Sequence, residues 1–112
     1  MAKYERDLKG NFDDFLNYIH QGIIGGSISA SFEDGSDWLN GEDKVSVRVY
    51  ERFSWIGSNR VSLAVTLVGQ GDSLFLSAIT SGGSQAIFFK INTWGEQSFL
   101  EKLQSLAENY NP

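Results

Sequence analysis

VSLAVTLVGQGDSLFLSAIT, residues Val61 to Thr80, is the stretch on which the fold turns. Val61, Leu63, Val65 and Leu67 alternate with Ser62, Ala64 and Thr66, and after GQGD, Leu74, Leu76 and Ala78 alternate with Ser73, Phe75 and Ser77. A period of two sends successive side chains to opposite faces of a strand, so each half reads as a half-buried β-strand. The GQGD link is too short for a crossover, which makes the pair an antiparallel hairpin.

The same period continues upstream. Val45, Val47 and Val49 alternate with Ser46, Arg48 and Tyr50, and Ile28, Ala30 and Phe32 alternate with Ser27, Ser29 and Ser31. The connectors DGSDWLNGED and SWIGSNR are rich in turn residues, so four strands in a meander are expected, with their Ile, Val and Leu faces toward the core. Residues Met1 to Lys9 read as a further short strand with Tyr4, Arg6 and Leu8 on one side. From Asn11 the period lengthens: Phe12, Phe15, Leu16, Ile19 and Ile23 recur at three and four, the stripe of an amphipathic helix. Asn11 is its expected N-cap, Asp13 and Asp14 suit its positive end, and Gly22, Gly25 and Gly26 are expected to mark its end.

Downstream, Gly82 and Gly83 precede the apolar run Ala86 to Ile91, which is too short to assign as strand or helix by period. Thr93 and Glu96 form a T-x-x-E capping box, the expected start of a second helix with Phe99, Leu100, Leu103, Leu106, Ala107 and Tyr110 on its apolar stripe. The sum is a single α+β domain over residues 1–112, an antiparallel meander sheet of four to six strands with an N-terminal and a C-terminal helix packed on one face. The other face is expected to be hydroxyl-rich, with Arg48, Tyr50, Phe75 and Ile79 as its basic and apolar islands.

Composition narrows the function. With 112 residues the chain buries roughly 65 % of its unfolded surface, enough for one core. Cysteine is absent, which removes disulfides, thiolate nucleophiles and the usual structural zinc sites. The 9 Lys and Arg stand against 14 Asp and Glu, a net charge of −5, so nucleic acid and anionic membrane surfaces are disfavoured as partners. No run reaches the roughly 18 apolar residues of a membrane span, and the opening residues lack the pattern of a signal peptide, so a cytoplasmic protein is expected.

Candidate chemistry is sparse. The amides around Gly82, Gly83 and Ser84 suit an anion nest, but neither phosphate-loop fingerprint is present and a simple bend explains the glycines as well. Ser81 and Ser84 lack a G-x-S-x-G elbow, and His20 is the single imidazole. Glu33, Asp34, Asp37, Glu42 and Asp43 crowd one segment without the spacing of a calcium loop. Arg48, Tyr50 and Arg52, with Arg60, have the make-up of a single-stranded nucleic-acid platform, which the net charge opposes. Phe53, Trp55, Phe88 and Trp94 supply either core filling or a crevice for a small apolar ligand between sheet and helix. No metal, cofactor or catalytic residue is assigned.

The segment YERFSWIGSNRVSL through LVGQGDSLFLSAITSGGSQAIFFKINTWGEQSFLEKL resembles a small family of short, uncharacterised Gram-positive bacterial proteins, a domain of unknown function; SGGSQ and KIN-x-[WF]-GE carry the likeness. The resemblance implies no catalytic residue. The order of elements is similar to that of TATA-binding-protein-like and helix-grip folds, which host many functions. The reading that follows is a noncatalytic binding module that forms a homo-oligomer through its open sheet face or an unpaired strand edge, with the carrier of a small apolar ligand as the alternative.

Overall fold

The computed structural model describes residues 1–26, 30–54, 59–82 and 89–111, with the backbone alone at 54, 59 and 89–97. Its elements are β1 (Ala2–Lys9), α1 (Phe12–Gly26), β2 (Ala30–Asn40), β3 (Asp43–Ser54), β4 (Asn59–Gln70), β5 (Ser73–Gly82) and α2 (Phe89–Glu108). All strand pairs are antiparallel, in the order β1-β5-β4-β3-β2. The hairpin of β4 and β5 forms as its alternation requires, with Val65 opposite Ala78 and Leu67 opposite Leu76. Gly41 and Gly71 open the two tight turns at φ of +63° and +61°, a backbone that glycine adopts without strain.

Residues Leu63, Val65, Leu67, Leu74 and Leu76 are buried in one cluster with Phe15, Ile19 and Ile23 of α1 and Phe99, Leu100 and Leu103 of α2. Each such side chain contributes about 2 kcal/mol when fully removed from water. Asn11 caps α1 as its position predicts: its Oδ1 accepts the Asp14 amide at 2.9 Å. Tyr18 ties the helices together by donating its hydroxyl to the Leu106 carbonyl at 2.7 Å.

Four local expectations are corrected. DGSDWLN is strand: β2 runs to Asn40 beside β3, and the pairing absorbs one extra residue between Phe32 and Asp34. Turn-forming residues are tolerated there because a partner strand satisfies the backbone and a bulge takes up the irregularity. Gly22 lies inside α1 and does not end it; a Cβ at Gly22 would sit 2.5 Å from Leu106 Cδ2, so the missing side chain permits close approach of α2. Thr93 lies inside α2, whose backbone is already helical at Phe89, so Thr93 is no N-cap. Threonine costs only about half a kcal/mol in a helix interior, and a local signature cannot fix where the first turn begins.

The fourth correction concerns β3. Directly paired residues share a face, and Ser46, Arg48 and Tyr50 pair with buried Leu67, Val65 and Leu63. Tyr50 is fully buried, and Val45, Val47 and Val49 occupy the opposite, half-exposed face. Arg48 and Tyr50 are therefore absent from the open face on which the sequence reading put them. Alternation alone does not say which side of a strand is buried, and here the pairing with β4 decides it.

Candidate interaction surface

With β3 turned over, the half-exposed face becomes more apolar than its sequence suggests. One cross-strand row runs Trp38, Val45, Val68 and Phe75; another runs Val49, Ala64 and Ile79; Val47 and Thr66 lie between them. Trp38 is 53 % and Ile79 40 % exposed. Charged groups ring this centre: Lys3, Glu5, Asp7 and Lys9 along β1, Asp34 on β2, and the Arg60–Glu51 ion pair at 3.0 Å. An apolar centre inside a charged rim is the anatomy of a protein interface.

The strand edges are guarded. β1 presents Lys3, Glu5, Arg6, Asp7 and Lys9, and β2 carries Glu33, Asp34 and Asp37 together with its bulge. Charges and bulges discourage edge-to-edge strand addition.

On the buried side of β3, the Tyr50 hydroxyl lies 2.9 Å from His20 Nδ1. Burial raises the Tyr50 pKa to about 12, against a smaller opposing pull from Arg48. Arg52, 4.8 Å over the Phe99 ring, is lowered from its ordinary value by burial. The acidic residues of β2 do not converge: Asp37 bonds Arg48 and Glu33 bonds Ser31, and no metal-type cluster exists among the described residues.

Phe75 and Ile79 lie on the half-exposed side of β5, opposite buried Leu74, Leu76 and Ala78. Trp38, Val45, Val47, Val49 and Val68 were missed on that sheet face: the β3 valines were assigned to the core, Trp38 to a connector, and Val68 to neither face. For the β3 valines the signal was the companion stripe Arg48, Tyr50 and Arg52, long side chains whose apolar bodies pack beside a core. Phe53, the crevice residue with a described side chain, is 44 % exposed and extends the open face. Gly82 ends β5. Trp55, Gly83, Ser84 and Phe88 lie outside the described residues, as does the Trp94 side chain. No helix among the described residues is long and apolar enough to cross a membrane.

Fold and surface together define an α+β domain with a five-stranded antiparallel sheet and two helices. The chain belongs to a family of unknown function (DUF6054), whose model matches residues 1–111. It has no significant match among curated proteins or solved structures.

Proposed function

We propose that the domain is a noncatalytic interaction module, in which both helices cover one face of the sheet and the other face pairs with a second copy of the chain. The observation that carries this reading is a pair of apolar cross-strand rows, Trp38, Val45, Val68, Phe75 and Val49, Ala64, Ile79, on either side of the mixed row Ser36, Val47, Thr66, Ser77, with charge at the rim. Five strands about 4.8 Å apart and ten residues long at about 3.3 Å each present a face of about 800 Å². One partner of a standard stable complex buries about 800 Å².

The rim is also self-complementary. Asp34 and Lys3 sit at opposite ends of one cross-strand row, Asp34, Val49, Ala64, Ile79, Lys3. A twofold axis along the central strand β4 brings Lys3 of one copy over Asp34 of the other, and the row pairs with itself.

Val47→Asp and Phe75→Asp test the reading by light scattering, with circular dichroism as the control for folding. Each substitution places a charge in the apolar centre and leaves the buried cluster untouched, so folded monomers are expected where the unmodified chain is a dimer. Folded variants that keep the mass of the unmodified chain overturn it.

A further inference from the structure

On the side of β3 away from Val47, a cleft of about 290 Å³ lies between α1 and the sheet. Asp13, Leu16, Asn17 and His20 line it from α1, spaced so that they share one helix face, and Arg48 lines it from β3. We propose that this cleft binds a small planar carboxylate, held by Arg48 and His20.

The donors are built in. The Tyr50 hydroxyl is buried, stays protonated at neutral pH, and has His20 Nδ1 at 2.9 Å as its partner. In the tautomer with its proton on Nε2, His20 Nδ1 accepts the hydrogen bond of the buried Tyr50 hydroxyl and Nε2–H is left as a donor. Nε2, on the far edge of the ring from Tyr50, has no hydrogen-bond partner among the described residues.

Arg48 is half-buried and held in place. Its Nε donates to Ser46 Oγ at 3.0 Å, its Nη2 donates to Asp37 at 3.2 Å, and the Phe32 ring lies 5.8 Å from its guanidinium carbon. Nη1 has no partner among the described residues, so part of the planar fork that matches a carboxylate remains unused. Asp13, the acid in the cleft lining, is already engaged by Lys44 at 3.1 Å.

Charge and volume choose the ligand. Arg48 and Lys44 are each paired with an aspartate, Asp37 and Asp13, so the site has no surplus positive charge and suits a monoanion better than a phosphate dianion. At about 30 Å³ per water-sized group the cleft admits roughly ten heavy atoms, the size of benzoate. Leu16 offers apolar contact to its hydrocarbon part.

Because His20 is the single histidine, the carbon-bound protons of its imidazole give one unambiguous NMR reporter. Benzoate, added to the full chain at constant pH and ionic strength, is expected to shift that signal saturably. Arg48→Gln should weaken the apparent affinity at least about tenfold, through loss of a charged hydrogen bond. Asp37→Asn releases Nη2 from its rival and should tighten binding by about two- to fivefold, the range of an exposed ion pair. The proposal is overturned if benzoate gives no saturable shift up to about 20 mM, or if inorganic phosphate shifts the signal and benzoate does not.

Discussion

His20 and Tyr50 meet at 2.9 Å, joining α1 to β3 through one hydrogen bond at the edge of the core. The phenol is fully buried, so the imidazole supplies the partner that water supplies in the unfolded chain. His20→Leu leaves that hydroxyl unpaired and should cost about 1–3 kcal/mol. Tyr50→Phe in the His20→Leu background should recover part of the loss, as urea denaturation of the single and double variants will measure.

The same hydroxyl makes stability depend on alkaline pH. The Tyr50 pKa is raised to about 12 in the folded chain from the ordinary tyrosine value of about 10. Between those values the unfolded chain gives up the proton while the folded chain keeps it. Stability therefore falls as pH rises through this window, by up to about 1.4 kcal/mol per unit. Tyr50→Phe should flatten that part of the curve in urea melts at pH 9, 10 and 11 relative to the unmodified chain, the other tyrosines being common to both.

Two glycines of α1 should respond oppositely to alanine. A Cβ at Gly22 sits 2.5 Å from Leu106, so Gly22→Ala must push α2 outward or force Leu106 into a new rotamer, at a cost of about 1–3 kcal/mol. A Cβ at Gly25 meets nothing within 4 Å. Gly25→Ala should therefore stabilise by about 0.5–1 kcal/mol, the ordinary gain in helix propensity. Thermal melts of both variants distinguish a packing glycine from a merely permissive one.

Tyr4 offers a contrast with Tyr50. Its hydroxyl is buried with no hydrogen-bond partner among the described residues. Removing an unpaired polar atom removes a desolvation cost, so Tyr4→Phe should be neutral or stabilise by up to about 1 kcal/mol in urea melts.

The sequence was most readable where a pattern had one physical outcome. The alternation from Val61 to Ala78 yields the β4–β5 hairpin and its buried side, and the three-four spacing after a capping Asn11 yields α1. It was ambiguous where two outcomes satisfy the same pattern. In β3 the stripe Val45, Val47, Val49 and the stripe Ser46, Arg48, Tyr50 each fit a core, and only pairing with Leu63, Val65 and Leu67 selects between them. Gly22 reads as a helix terminator until Leu106 is placed beside it, and DGSDWLN reads as a loop until β3 satisfies its backbone. The open face was misread for the same reason: Phe75 and Ile79 follow from local alternation, while the valines and Trp38 depend on register across strands.

Self-pairing through the face centred on Val47 is tested most directly by sedimentation of the unmodified full chain across a concentration series. The account predicts a species of twice the 12.5 kDa chain mass that dissociates on dilution. A single species at the chain mass up to about 100 µM, two orders above a micromolar dissociation constant, would contradict it.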